Sequence, residues 1–359
     1  MKILYLINFA GAGGSERYVE LLIRHFHGSK ARCGLCFNVE GPLSEKMRAM
    51  GIEVHQLPMD NPLDLAAAKK LATLCRREGY DVIHAQYPRE NYIAILSRLF
   101  GCKAKIVFTS HLIADQPPVW KLLNRFFTPK NHAVVTVCTY GREVLERNGV
   151  SKKRIRVVFN GVDAAAAPAR DRSVLREFGI REEELVLTIL TRFSEEKGVP
   201  FLLRAVAKLK EKTSVPFRLL LVGTGPDFDR DKELVSRLGI EDRVVLTGFR
   251  SDTARLLSAS DLYLNSSSSE AMSFAILEAL AAGLPLVVTD VGGNPELVNT
   301  GSVCGLLAPY GDTDAYAAAM ARLLEDGALR AAYAAAARAK AEREFDLYTL
   351  LDKLFEIYQ

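Results

Sequence analysis

Three short loops carry residues whose types and spacing suit chemistry on phosphates and hydroxyls. Thr191-Arg192-Phe193-Ser194-Glu195-Glu196-Lys197-Gly198 places a guanidinium and an ammonium on one turn. Arginine grips a phosphate as a planar fork and lysine as a point charge, so the pair can clamp a diphosphate. The same residues read equally as a solvated loop in which Glu195 and Glu196 neutralise their neighbours. A second segment runs from Ser266 through Glu270-Ala271-Met272-Ser273-Phe274-Ala275 to Glu278. Ser273 suits a helix N-cap, which leaves Glu270 on the entering loop and Glu278 a turn or more inside the helix. A carboxylate accepts two hydroxyl hydrogens at once, and the amides near Ser273, Phe274 and Ala275 are placed for phosphate. Glu278 lies between Leu277 and Leu280, where an unpaired carboxylate is expensive, so a hydroxyl partner is expected. The third loop is Gly11-Ala12-Gly13-Gly14-Ser15-Glu16. Its glycines let backbone amides approach an anion, but they bunch too early for the dinucleotide fingerprint, and such loops are also plain tight turns.

Short apolar runs alternate with helical patterns along almost the whole chain, the pattern of a parallel α/β architecture. Strands are expected at 3–7, 34–39, 52–57, 82–84, 106–109, 134–137 and 155–158. The alternation restarts at 185–190, 217–222, 244–247, 262–264 and 286–289. Residues 163–170, apolar without periodicity, are the expected linker. The Ala-rich stretch 314–340 reads as helix with a break at Asp326-Gly327, and 345–358 as one more helix. Two doubly wound halves place the natural binding crevice between them.

At about 150 residues per domain, 359 residues imply two domains. Hydrophobic residues at 49% and charged residues at 25% exclude disorder, collagen-like repeats and a disulfide scaffold. A net charge of +4 gives no ground for a nucleic-acid partner. No apolar run reaches the roughly 18 residues of a spanning helix. The start, Met1-Lys2-Ile3-Leu4-Tyr5-Leu6-Ile7, runs straight into the Gly-rich loop and suits a buried first strand better than a signal peptide. The six cysteines, Cys33 and Cys36 included, read as small core residues in a reducing cytoplasm, since residues three apart on a strand face opposite sides.

On these loops the chain resembles the retaining family 4 glycosyltransferases of GT-B fold. The resemblance spans nearly the whole chain. It is carried by Gly13-Gly14-Ser15-Glu16, Val157-Val158-Phe159-Asn160-Gly161-Val162-Asp163, Arg192 with Glu196-Lys197-Gly198, Val222-Gly223-Thr224-Gly225-Pro226, and Val291-Gly292-Gly293-Asn294-Pro295-Glu296. Most specific are Glu270 and Glu278 with seven residues between them, following that Arg and Lys. The family usually has Gly directly after the first glutamate, where this chain has Ala271. If that backbone needs positive φ, Ala costs about 1 kcal/mol and shifts the donor-sugar contact.

The resemblance implies an acceptor-binding Rossmann-like domain over 1–163, a nucleotide-sugar domain over 164–344, and a helix over 345–359 packing back on the first. It implies that Arg192 and Lys197 hold the diphosphate of a sugar nucleotide, a UDP-sugar by default. Glu270 would bind donor-sugar hydroxyls with Ser273, Phe274 and Ala275 offering amides, and Glu278 would hold the ribose. Gly13, Gly14 and Gly225 would lie along the donor, with Gly14 reaching the phosphates from the opposite domain, and His111 would stand near the donor sugar. Preorganised cations answer the charge that develops on the leaving diphosphate, so no metal and no cofactor beyond the co-substrate is expected. Asp227-Phe228-Asp229 resembles a metal-binding pair of another fold but opens a helix, where acids favour the dipole. The acceptor expected is a glycan or lipid-linked glycan of bacterial surface assembly. A sugar-nucleotide epimerase of similar fold and an inactive sugar-nucleotide-binding protein are the rival readings.

One more segment concerns partners. In residues 120–127 the apolar Trp120, Leu122, Leu123, Phe126 and Phe127 plot on one side of a helix, with Lys121, Asn124 and Arg125 on the other. Such a helix can lie on an anionic membrane or pack on the core, and either reading fits.

Overall fold

In the computed structural model every residue except Ala12 and Leu112 is described, and the chain forms two units. The first comprises Met1–Asn160 with Thr349–Gln359, and the second Gly161–Tyr348.

The first unit is built on seven strands: β1 (Lys2–Phe9), β2 (Arg32–Val39), β3 (Glu53–Gln56), β4 (Val82–Ala85), β5 (Lys105–Ser110), β6 (Ala133–Thr136) and β7 (Ile155–Val157). They lie in the order β3-β2-β1-β4-β5-β6-β7, and every pairing is parallel. Parallel strands are covered by helices on both faces, which is why Ile3, Leu4, Tyr5, Leu6 and Ile7 are all buried without alternation.

The second unit repeats the plan with β8 (Leu185–Leu190), β9 (Phe217–Val222), β10 (Val244–Gly248), β11 (Leu262–Asn265), β12 (Leu286–Thr289) and β13 (Gly305–Ala308). Their order is β10-β9-β8-β11-β12-β13, again all parallel. In both sheets the order reverses beside the first strand, so the loops leaving β1 and β4, and those leaving β8 and β11, open at a switch point. Most candidate residues lie on the loops leaving β1, β8 and β11, while His111 follows β5 and Gly225 follows β9.

Local chemistry sets the helix ends. Asp64 caps the helix Leu65–Glu78 by accepting from the Ala67 amide, and Gly79 closes it in the left-handed region. Asp326 interrupts the Ala-rich stretch, ending Thr313–Glu325 and capping Gly327–Arg343 through the Leu329 amide. The strand β13 escapes a sequence reading because Gly-Leu-Leu-Ala is short and lacks β-branched residues.

The expected linker at 163–170 is not a free tether. Ala164 is buried, and the Arg170 guanidinium donates to the Ser260 carbonyl and the Asp261 carboxylate, so the segment is sewn onto the second unit. The last helix, Leu347–Tyr358, delivers its residues from Thr349 onward to the first unit, where Phe355 meets Phe26 at 5.2 Å.

Candidate active site

In the second unit, two loops leaving the adjacent strands β8 and β11 are joined by hydrogen bonds. The Ser268 amide donates to the Glu196 carbonyl at 2.9 Å, and the Ser266 hydroxyl to the Lys197 carbonyl at 2.8 Å. Gly198 makes this approach possible. Its φ is +63°, and a Cβ there would stand 2.2 Å from the Ser266 carbonyl oxygen. Across this join Lys197 Nζ meets Glu270 Oε2 at 2.8 Å, and the Ser267 hydroxyl donates to the same oxygen at 3.1 Å. The ion pair of Lys197 is thus with a residue of the neighbouring loop, and the solvated-loop reading does not describe it. Glu196 is held below the usual carboxylate range, chiefly by the Ser194 hydroxyl and also by the nearby Lys197 and Arg192 cations. Arg192 itself is exposed at the mouth of the same turn.

Gly225 follows β9 and packs on the backbone of that turn, where a Cβ would lie 2.2 Å from the Phe193 carbonyl oxygen. Ser273 caps the helix Phe274–Ala281, its hydroxyl accepting from the Ile276 amide at 3.4 Å. Glu278 is half-buried in the second turn of that helix. The Tyr263 phenol is pushed up mainly by burial, with the Glu278 and Glu270 carboxylates adding to it. Among the described residues no non-glycine has positive φ, so Ala271 takes the glycine's place without left-handed strain. Asp227 pairs with Arg230 Nη2 at 3.1 Å, and Asp229 lies in the first turn of Phe228–Arg237. Two cations, helix-start amides and two carboxylates therefore share one sheet edge, a set able to hold phosphates and hydroxyls together.

Gly13, Gly14 and His111 belong to the first unit. Gly13 is the N-cap of Gly14–Phe26, an end with no side-chain cap. The Ser15 hydroxyl donates to Glu16 Oε2 at 2.8 Å and therefore accepts from the Tyr87 hydroxyl at 2.6 Å. His111 meets the Tyr18 ring of the same helix edge-on, at 5.1 Å between centroids. Its Nε2 lies 3.0 Å from Gln86 Oε1. The Gln86 amide nitrogen is committed to the His84 carbonyl, so Oε1 accepts and Nε2 of His111 carries the proton. Burial drops His111 to about 4, leaving its ring neutral at physiological pH.

Sequence reasoning missed Gln86, which orients His111, and the group behind it. His84 is buried between Tyr358 Oη at Nδ1 and Thr109 Oγ1 at Nε2, both at 2.7 Å. The one available signal was a histidine inside the otherwise apolar strand Val82–Ala85, with Gln86 directly after its end.

Comparison with known proteins follows the same division. The Glycosyltransferase Family 4 description matches residues 12–166 and Glycosyl transferases group 1 matches residues 172–340. The N-acetyl-alpha-D-glucosaminyl L-malate synthase of Bacillus anthracis is 33% identical over 310 residues, covering 83% of this chain and 79% of the relative. The chain belongs to glycosyltransferase family 4.

A second relative is the UDP-Gal:alpha-D-GlcNAc-diphosphoundecaprenol alpha-1,3-galactosyltransferase of Escherichia coli, 27% identical over 309 residues, with 82% of this chain and 79% of the relative covered. The solved structure of Anabaena Alr3699/HepE in complex with UDP superposes with a TM-score of 0.86 at 23% identity, over 99% of both chains. The fold is therefore GT-B, and the glycosyltransferase is a retaining enzyme that moves a sugar from a nucleotide sugar.

Proposed function

We propose that this glycosyltransferase takes its sugar from a UDP-sugar and passes it to a hydroxyl of a glycan or lipid-linked glycan in bacterial cell-surface assembly. The observation that carries the reading is the Lys197–Glu270 pair, with Arg192 exposed on the same turn. Breaking the glycosyl C–O bond puts negative charge on the leaving diphosphate and positive character on the sugar ring. Arg192 and Lys197 answer the first without reorganising, and Glu270 holds the sugar by its hydroxyls. Glu278 takes the ribose, the amides at Ser273, Phe274 and Ala275 the phosphates, and Gly225 keeps the floor of the turn low. His111, neutral and with its Nε2–H given to Gln86, keeps an Nδ1 lone pair that can accept from a sugar hydroxyl. The cations do the work of a metal. UDP is favoured because a UDP complex and a UDP-Gal-named enzyme stand among the similar proteins.

The acceptor is met at a membrane face. Among the described residues no helix is long and apolar enough to cross a membrane. The helix Pro118–Phe127, however, exposes Val119, Leu122 and Phe126 at 60%, 54% and 64%, one stripe at i, i+3 and i+7. Lys121 and Arg125 flank it, which suits contact with anionic lipid on the cytoplasmic side.

Calorimetry with UDP, GDP and ADP, followed by transfer from the matching sugar nucleotide with and without EDTA, tests the reading. UDP should bind and raise the melting temperature by mass action, and transfer should survive chelation with the anomeric configuration kept. Binding of GDP alone would replace the base. Sugar interconversion without an acceptor would favour the epimerase.

A further inference from the structure

Behind His111 the sheet of the first unit holds a polar group that the donor chemistry does not use. His84 of β4 is fully buried, and both its ring nitrogens are engaged at 2.7 Å, Nδ1 with the Tyr358 hydroxyl and Nε2 with that of Thr109. Burial holds the imidazole near 3, and His111 pushes it the same way, so the ring is neutral at physiological pH. A neutral imidazole has one N–H and one lone pair. The two hydroxyls must therefore play opposite roles, one accepting and one donating, and both are needed to fix the ring. Tyr5 of β1 and Tyr18 of the helix Gly14–Phe26 face the same ring, at 5.6 and 6.2 Å between centroids. Apolar side chains would fill this space without the desolvation cost that the polar groups carry. What the hydrogen bonds add over apolar contact is direction.

That direction is passed on to His111. Gln86 and Tyr18 hold the His111 ring, and each of them rests on His84. The Gln86 oxygen accepts from Nε2 of His111 at 3.0 Å, while its amide donates to the His84 carbonyl at 3.2 Å. The Tyr18 ring meets His111 edge-on at 5.1 Å and stands edge-on to the His84 ring as well. Its hydroxyl lies 3.4 Å from the same Thr109 oxygen that His84 engages. One contact of His111 thus leads to the His84 backbone and the other to the His84 side chain.

We propose that Tyr358 and Thr109 are positioning residues for the transfer reaction: by clamping the His84 ring between two hydroxyls, they back Tyr18 and keep the Nδ1 lone pair of His111 aimed at the donor sugar. The proposal rests on the donor-site reading of His111, and goes beyond it by making the last helix of the chain part of the site. Without the clamp the His84 ring can turn about its bond to Cβ, Tyr18 loses its backing, and His111 samples unproductive orientations. A group held in one orientation spares the reaction that search.

Each hydroxyl can be removed with little change of shape, by Tyr358→Phe or Thr109→Val, and Thr109→Ser keeps it. In protein carrying isotope-labelled histidine, two-bond proton–nitrogen correlations read the tautomer of each of the six histidines. The His111 signals, identified by their loss in His111→Ala, should show a single Nε2–H tautomer in the parent. They should move toward a mixture of tautomers in Tyr358→Phe and Thr109→Val and return in Thr109→Ser, with those of His55 unmoved. Release of UDP is followed from whichever of UDP-glucose, UDP-galactose and UDP-N-acetylglucosamine the parent cleaves. Its kcat should fall about tenfold in both hydroxyl-less variants with KM unchanged. Either variant suffices if the other does not fold. Unmoved His111 signals overturn the proposal, whatever becomes of the melting temperature, because the hydroxyls then serve folding alone. Moved signals with full turnover overturn it too, as does a slow His111→Ala beside variants at the parent's speed. Full turnover in His111→Ala strikes the donor role of His111 instead, and the spectra still decide the clamp.

Discussion

At the scale of single residues, the site depends on charges whose partners lie far away in sequence. Lys197 and Glu270 are linked across two loops, whereas Arg192 stands exposed. Replacing either cation by Ala should lower turnover by about 10²–10³, the range for losing one preorganised charge-stabilising group. The two variants should differ in stability. Lys197→Ala strips a poorly exposed carboxylate of its ammonium and should lower the melting temperature, while Arg192→Ala should leave it unchanged. Equal melting temperatures would mean that the pair contributes nothing to folding. Glu90 and His84 oppose each other in their response to pH. Between its ordinary 4.5 and its folded value of about 7, Glu90 is ionised in the unfolded chain and protonated in the folded one, so stability falls as pH rises, by up to about 3 kcal/mol. His84, held neutral by burial down to about 3 against an ordinary 6.5, does the opposite and removes stability as pH falls below 6.5. The melting-temperature advantage of Glu90→Gln over the parent should therefore grow between pH 4.5 and 7 and level off above. A constant difference would show that Glu90 does not titrate there.

At the scale of elements, the helix Pro118–Phe127 divides its apolar residues between two environments, and the helical wheel could not foresee this. Trp120 and Phe127 pack on Tyr92, at 5.9 and 4.9 Å, and Val119, Leu122 and Phe126 face outward. Asn124, expected on the polar side, is buried. Its amide donates to the Asn148 carbonyl at 2.8 Å and its oxygen accepts from Tyr92 Oη at 2.6 Å, so burial costs it no hydrogen bond. Phe127→Ser should destabilise by about 3 kcal/mol or more through the cavity it leaves. Phe126→Ser should keep the melting temperature and weaken binding to anionic vesicles, an effect that salt should enhance. Vesicle binding untouched by Phe126→Ser would move the lipid contact elsewhere. Strands such as 185–190 and 286–289 were legible because a continuous run of Leu, Val and Ile has nowhere to go but between two helix layers. The cap at Ser273 was legible because capping is local. The burial of the Glu90 carboxyl was not legible, and neither was the partner of His84, since Tyr358 is 274 residues away. Pattern reports the face a residue takes. It does not report what waits on that face.

At the scale of the whole molecule, the second unit is one uninterrupted stretch and the first is made of two pieces. Gly161–Tyr348 expressed alone should melt cooperatively, because its core and sheet are complete. Met1–Asn160 alone should not, since it lacks Phe355 over Phe26 and the Tyr358 hydroxyl on buried His84. Fusing residues 349–359 to it through a short flexible linker should restore a cooperative transition in circular dichroism. A sharp transition without them would make that helix an ornament. The same layout sets a timetable on the ribosome. At roughly 5–20 residues per second, translating the second unit takes on the order of ten to forty seconds. Throughout that interval the nascent first unit waits with Phe26 uncovered and His84 lacking its phenol, although its seven strands have long since emerged. Slow codons in the second half should therefore lengthen the interval in which the first unit is incomplete, and a holdase present then should raise the yield of folded enzyme.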